Sequence, residues 1–176
     1  MTSTAKKKIA QHIVRELTDA GHEAYFVGGC VRDQVLGLTP KDYDVATSAK
    51  PDDVVAMFEK TVCVGARFGV VAVIIESEQV EVTTFRNDGS YIDGRRPSSV
   101  EFASMEEDVH RRDFTINGLL YNPLKDELID LVNGKEDLDN RVIRAIGDPE
   151  QRFAEDKLRM LRAIRFAARF GYTIEE

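Results

Sequence analysis

The residues best suited to chemistry crowd into one stretch, AYFVGGCVRDQVLGLTPKDYDVAT, from Ala24 to Thr47. It reads as a strand (Ala24 to Val27), a Gly28-Gly29 turn, a short helix (Cys30 to Leu36), a loop, and a second strand carrying Asp42 and Asp44. A glycine turn that opens a helix exposes backbone N–H groups and a positive dipole end to an anion. Two carboxylates at i and i+2 of a strand share a face, and that face can hold divalent metal. With a nucleoside triphosphate as substrate, Gly28, Gly29 and the nearby Arg32 would take the phosphates. Asp42 and Asp44 would bind two Mg²⁺ ions. One ion would lower the pKa of an attacking hydroxyl; the other would hold the triphosphate and stabilise the leaving pyrophosphate. That is the equipment of phosphoryl-type transfer. Each half is unspecific alone, since two-glycine turns are common and KDYD also suits an acidic turn at a strand start. The turn is neither a P-loop, because no glycine-Lys-Ser/Thr follows, nor a dinucleotide fingerprint.

Further candidates lie downstream. Val80 to Phe85 alternates as a strand, with Val80 and Val82 on one side and Glu81, Thr83 and Phe85 on the other. Alone, Glu81 is a solvent-facing position; beside the Asp42/Asp44 strand it becomes a third carboxylate for metal. Arg111-Arg112-Asp113 and Asn117 fall in a stretch, Met105 to Tyr121, that reads as a helix with a break near Arg112. On a helix, Asp113 and Asn117 share a face.

The elements that must position these groups follow from periodicity and punctuation. Residues 5–20 read as a helix with Ile9, Ile13, Val14 and Leu17 inward, Ser3 or Thr4 as cap, and Lys6-Lys7-Lys8 as solvated surface. Ser48 is placed to cap a helix with Pro51 in its first turn. Val62–Val64 and Val70–Ile75 are β-rich, and Val70–Ile75 with Val80–Phe85 reads as a hairpin. Residues 86–100 read as a long loop. Ser104 and Glu107 form a capping box, Leu128–Leu131 is a short strand, Asn133-Gly134 a polar turn, and Val142–Ile146 a short apolar segment. The last helix starts at Asp148-Pro149 and stops at Gly171, with Phe153, Met160, Ile164 and Ala167 as an apolar stripe. The order, β-α-β-α-β-β-(loop)-α-β-α, suits an α/β or α+β domain with one mixed sheet, ending in a protruding helix.

Length and composition bound the rest. The chain's 176 residues fit one compact domain, and an apolar fraction of 43% supplies its core. No apolar run reaches membrane-spanning length, and two cysteines in unlike contexts, Cys30 and Cys63, imply neither a disulfide framework nor a zinc site. A reduced, cytoplasmic setting is expected, with no membrane and no protein partner implied. A net charge of −7 argues against a generic nucleic-acid binder, yet residues 141–169 are locally basic through Arg141, Arg144, Arg152, Lys157, Arg159, Arg162, Arg165 and Arg169.

Taken together, the motifs resemble the polymerase-β-type nucleotidyltransferase superfamily, and more closely class II tRNA nucleotidyltransferases (CCA-adding enzymes) and bacterial poly(A) polymerases. The matching stretches are FVGGCVRD…LG…KDYDVAT, VEVTTFRNDGSYIDGRRP, EEDVHRRDFTINGLLYN, the D…G…DL run from Asp130 to Leu138, and RFAEDKLRMLRAIRFAARFGY. They stand in family order and cover almost everything from Tyr25 on. The resemblance implies a catalytic head over residues 1–140, a mixed sheet flanked by helices. Residues 141–176 would be the start of a helical neck that selects the base. It implies Asp42 and Asp44 as the metal-binding catalytic pair, with Glu81 as accessory carboxylate. Gly28, Gly29, Arg32 and Arg112 would contact phosphates, and Asp113 and Asn117 would read the ribose. Asp156 and Arg159 would select the base, with Arg162 and Arg165 in the same neck.

The base-selecting pair makes chemical sense. At i and i+3 of a helix both groups can face one planar ligand. A carboxylate accepts from the amino group of cytosine or adenine while a guanidinium donates to the ring acceptors. Uracil and guanine offer an oxygen instead, a mismatch of roughly 1–3 kcal/mol per unmade buried bond. The implied activity is template-independent addition of CMP and AMP from CTP and ATP to the 3′ end of tRNA. The alternatives are a poly(A) polymerase or A-only tRNA-adding enzyme, or a catalytically silent nucleotide- or RNA-binding module. The 86–97 loop, with DGxYxDxRRP intact, would assist the change from CTP to ATP and points away from a CC-only enzyme. Residues 64–70, VGARFGV, combine a CCA-like Gly65-x-x-x-Gly69 with an Arg-Phe pair reminiscent of poly(A) polymerases, and leave that choice open. The family continues into a helical body and tail that hold tRNA, so a chain stopping at Glu176 is expected to be a fragment.

Overall fold

The computed structural model describes residues 3–65, 68–89, 91, 94 and 98–176, the side chains of residues 64 and 65 excepted. Its centre is a seven-stranded mixed sheet built from β1 (Ala24–Val27), β2 (Asp44–Thr47), β3 (Thr61–Gly65), β4 (Val70–Ile75), β5 (Glu78–Thr84), β8 (Leu120–Asn122) and β9 (Glu127–Ile129). The spatial order is β3-β4-β5-β2-β1-β8-β9, and every neighbouring pair is antiparallel except β2 with β5. This is the mixed sheet flanked by helices that the sequence predicts.

Alternation along the strands divides the core in two. Val45, Val71, Val73, Val80 and Val82 point to one face, where α1 (Ser3–Asp19) buries Ile9, Ile13, Val14 and Leu17 against them. The opposite face buries Val27, Ala46, Phe85 and Leu120 with Val109 of α4 (Met105–His110). The first layer anchors the sheet. The second lies beneath the cleft described below.

Several elements differ from the sequence expectation for identifiable reasons. Asp42 is not on a strand. Gly28 leaves β1 with φ 69°, so Val27 opposite Asp44 is the last pair, and residues 42 and 43 have no partner strand. Ser48 does not cap α3 (Pro51–Met57); its hydroxyl accepts from Glu23 N–H, while Lys50 N–H donates to Asp53. The 86–100 loop is closed at its base by a two-stranded hairpin, β6 (Arg86–Asp88) with β7 (Val100–Phe102). Ser90, Ile92, Asp93, Arg95, Arg96 and Pro97 of that loop, and Ala66 and Arg67 of VGARFGV, lie outside the described residues.

Helix α4 starts at the predicted Ser104–Glu107 box but stops at His110. Asp113 accepts from Phe114 N–H and competes with helix continuation, and extended Phe114 is followed by a 3-10 turn, Thr115–Asn117. The Asn133-Gly134 turn opens a further helix, α5 (Gly134–Asn140), whose free N–H groups at Gly134 and Lys135 are taken by Asp130.

The final helix is two. α6 (Pro149–Glu155) begins at the predicted Asp148 cap, and α7 (Leu158–Phe170) ends at Gly171 with φ 67°. They break at Asp156, whose carboxylate accepts from Leu158 N–H, while Lys157 N–H goes to the Gly94 carbonyl. The expected apolar stripe holds in part, since Phe153 and Ala167 pack against the core and Met160 and Ile164 do not. Met160 and Ile164 are 45% and 59% exposed, whereas Arg159 is 6% exposed; α7 packs inward through Ala163, Phe166 and Ala167. After Gly171 the chain adds β11 (Thr173–Ile174) parallel to β10 (Val142–Ile143).

Candidate active site

A cleft of about 710 Å³ opens over the second face of the sheet. The turn after β1 contributes Gly28, Gly29 and Arg32; β2 and β5 contribute Asp44 and Glu81; the segment after α4 contributes Arg112, Asp113 and Asn117; the break before α7 and α7 itself contribute Asp156, Arg159, Arg162 and Arg165. The only residue singled out in the sequence that does not line it is Asp42. Distant stretches of chain thus meet around one solvent-filled space.

Parallel pairing of β2 with β5 sets the acidic floor. Val45 lies opposite Val82, so Asp44 and Glu81, one step earlier on each strand, stand side by side. Asp44 is an exposed residue on the floor of the cleft. Desolvation pushes its pKa up from 3.8 to about 6, Glu81 and Asp42 add to the rise, and Arg112 opposes it. Asp42 is turned outward and accepts from Lys6 Nζ of α1 at 2.8 Å, with Glu78 at 3.8 Å from the same ammonium. Lys6 is therefore an ion-pair partner of the acidic corner rather than plain solvated surface.

Among the described residues no three His, Cys, Asp or Glu side chains already converge as a metal cage. The donor set nonetheless fits a hard divalent cation. Asp44 and Glu81 are adjacent oxygen donors whose mutual repulsion a cation would relieve, while Asp42 is held apart from them by Lys6.

The opposite wall is basic. Arg112 Nε and Nη2 are held by Asp108 at 3.2 and 2.7 Å, and a Cβ added at Gly28 would stand 3.8 Å from Arg112 Nη1. The positive φ explains the glycine, since a Cβ there would make only ordinary contact with Arg112. Arg32 is a buried strut: it donates to Asp33 and, at 2.6 Å, to Asn117 Oδ1, with its guanidinium 5.3 and 4.8 Å from the Phe166 and Phe170 rings. Asp113 and Asn117 are not on a helix, yet the 3-10 turn brings them together: Asn117 Nδ2 donates to Asp113 Oδ1 at 3.2 Å. Asp113 Oδ2 accepts from Arg162 Nε at 2.6 Å, tying this corner to α7.

Asp156 and Arg159 are brought together, though not on one helix, since Asp156 sits at the break. Arg159 is fixed by Glu155 Oε2 at 3.0 Å and by the carbonyls of Arg152 and Arg111 at 3.1 and 3.2 Å. Its guanidinium stands 5.9 Å from the Tyr91 ring. Arg86, Asp88, Tyr91, Arg111 and Arg169 also line the cleft, with Asp108 behind it; the sequence marks the stretches that hold them but gives none of them a role of its own. Asp108 had a signal, its spacing of three and four from Arg111 and Arg112. Arg86 and Asp88 stand in the VEVTTFRNDGSYIDGRRP stretch, but only the β6–β7 hairpin shows that they turn inward.

A model of the poly A polymerase head domain matches residues 24–144, more than half of the chain. The chain belongs to the poly A polymerase head domain family. The family resemblance drawn from the motifs is thereby borne out. Within the family, the CCA-adding enzyme of Bacillus subtilis is 50% identical over 163 residues, 92% of this chain and 41% of that protein. The CCA-adding enzyme of Enterococcus faecalis is 50% identical over 170 residues, 96% of this chain and 42% of that protein. This head-domain chain thus spans about two fifths of the length of the curated relatives it matches. Among solved structures, the Bacillus stearothermophilus CCA-adding enzyme in complex with CTP superposes with a TM-score of 0.87 at 43% identity, over 96% of this chain and 40% of that one. The Thermotoga maritima CCA-adding enzyme complexed with tRNA gives 0.76 at 28% identity, over 96% and 39%. No helix among the described residues is long and apolar enough to cross a membrane.

Proposed function

We propose that this chain carries the nucleotide-handling part of a template-independent RNA 3′-terminal nucleotidyltransferase, adding CMP and AMP from CTP and ATP to the tRNA 3′ end. The observation that supports it is one cleft with an Asp44–Glu81 floor, an Arg112 wall and an Asp156–Arg159 end. Phosphate, sugar and base chemistry then meet at a single nucleotide's length. The CCA-adding names of the relatives, and the CTP in one similar structure, point the same way.

In this reading the catalytic head is residues 1–140 and base selection belongs to residues 141–176. Arg112 takes the triphosphate from the side facing Gly28-Gly29. Asp113 and Asn117 read the ribose, and Asp156 and Arg159 read the base edge, with Arg162 and Arg165 beside them. Asp42, Asp44 and Glu81 would hold Mg²⁺, two ions in the full reading, which when bound supplies activation of the RNA 3′-hydroxyl and charge neutralisation at the leaving pyrophosphate. Orientation is the protein's share: the cleft sets the α-phosphate between the acidic floor, where the 3′-hydroxyl must arrive, and the basic wall, where pyrophosphate leaves. Template-free choice follows from fixed groups, because Arg159 is immobilised by three acceptors before any base arrives. The setting is cytoplasmic, where tRNA is processed.

The test is addition of labelled CTP and ATP by the full-length protein to a tRNA lacking its 3′ end, with Mg²⁺ present. Both nucleotides are added, and Asp42→Ala abolishes addition while the circular dichroism spectrum stays unchanged. Refusal of both nucleotides sinks the proposal; use of ATP alone makes the protein a poly(A) polymerase or A-adding enzyme.

A further inference from the structure

Asp108 lies behind the cleft, with 1% of its surface exposed. It is one turn ahead of two arginines, and both reach back to it. Oδ1 accepts from Arg111 Nη2 at 2.6 Å, Arg111 Nε at 3.1 Å and the Arg86 main-chain N–H at 3.2 Å. Oδ2 accepts from Arg112 Nη2 at 2.7 Å and Arg112 Nε at 3.2 Å. These donors occupy the acceptor capacity of an ionised carboxylate. Burial by itself would raise its pKa, but Arg112 and Arg111 overrule burial and hold the carboxyl below the ordinary range.

The consequence lies at the far edge of each guanidinium. Arg112 is gripped along its Nε–Nη2 edge, which fixes the plane of the fork and leaves Nη1 on the side that faces Gly28. Arg111 is gripped in the same way, and its carbonyl accepts from Arg159 Nη2 at 3.2 Å. Arg86, Arg111 and Arg112 against Asp88 and Asp108 leave one net positive charge at the cleft, with little freedom to reorient.

We propose that Asp108 is a positioning residue that aims the free edge of Arg112 at the triphosphate of the incoming nucleotide, a role that rests on the nucleotidyltransferase reading above. Asp108 itself touches no phosphate. It converts a flexible arginine into a preorganised one, so that the cost of ordering the fork is met during folding and not on each binding event.

The test compares equilibrium binding of CTP and of cytidine to the full-length protein by calorimetry. Asp108→Asn weakens CTP about tenfold or more, the range for a displaced charged hydrogen bond, and leaves cytidine unchanged. Arg112→Lys keeps the charge but loses the held fork, and weakens CTP alone to a similar degree. The double variant binds CTP no worse than either single one, because both remove the same aimed group. Unchanged CTP affinity in Asp108→Asn, or equal losses for CTP and cytidine, overturns the proposal. Wild-type CTP affinity in Arg112→Lys overturns it as well, and that variant decides the matter if Asp108→Asn does not fold. A wild-type protein that binds CTP beside unaffected variants leaves the nucleotidyltransferase reading standing; one that binds no CTP removes both.

Discussion

Asp44→Asn is predicted to stabilise the protein at alkaline pH while removing a proposed metal ligand. The Asp44 carboxyl has its pKa pushed up from 3.8 to about 6, by burial first and by Glu81 and Asp42 after it. A raised carboxylate pKa means that the folded state holds the proton more tightly than the unfolded chain. Its stabilising contribution is therefore complete below pH 3.8 and is lost as pH rises through about 6. The rise from 3.8 to about 6 sets a ceiling of about 3 kcal/mol. Asp44 is open to the cleft, and solvent screening brings that down to about 1 kcal/mol. Asparagine carries no charge at any pH and escapes the loss. In EDTA at pH 8, Asp44→Asn should melt about 2–4 °C above wild type, and the difference should shrink towards zero near pH 4. Added Mg²⁺ should raise the wild-type melting temperature and leave the variant unmoved. Differential scanning calorimetry at the two pH values reads all of this. A variant no more stable than wild type at pH 8, or equally shifted at both pH values, refutes the electrostatic account of the acidic floor.

Other outcomes test separate parts of the cleft. Asp156→Ala should relax rejection of UTP and GTP by about tenfold while Mg²⁺ dependence stays as in wild type; competition assays with the four nucleotides would reveal unchanged discrimination if the base-reading role is mistaken. Lys6→Met should lower the Mg²⁺ concentration at half-maximal activity by up to about fivefold, the scale of an exposed ion pair, because Asp42 no longer has a competing cation; an unchanged titration would refute the competition. Gly134→Ala places its Cβ against the Thr115 carbonyl. Thermal unfolding should show a loss of about 1–3 kcal/mol, and a neutral result would mean the 3-10 turn yields freely.

Where chemistry depends on neighbours in the chain, the residues announce it. The Gly28-Gly29 turn, the Ser104–Glu107 box and the Asp148-Pro149 start rest on local hydrogen bonds, and each appears where its pattern puts it. The role of Glu81 depends on which strand lies beside its own, and nothing within Val80–Phe85 encodes the parallel partner β2. The break at Asp156 escapes notice because part of its cause, the Gly94 carbonyl, comes from a distant loop. The exposure of Met160 and Ile164 and the burial of Arg159 are hidden for a related reason. Periodicity assigns Met160 and Ile164 to the core and arginine to water, but Arg159 goes inside because polar partners from α6 and the turn after α4 await it.

The attachment of α7 also bears on how the molecule is made. Asp33 of the short helix α2 (Gly29–Val35) meets Arg169 of α7 across 136 residues of sequence, and Arg32 sits against Phe166 and Phe170. Because the N-terminal part of a chain leaves the ribosome first, under the proposed function the turn assigned to phosphate and the floor assigned to metal emerge well before the helix assigned to the base. A half-synthesised chain therefore holds the reactive end of the cleft without its selective end. On that proposal selectivity arrives only as α7 packs against α2, and the least discriminating form of this molecule would be its youngest.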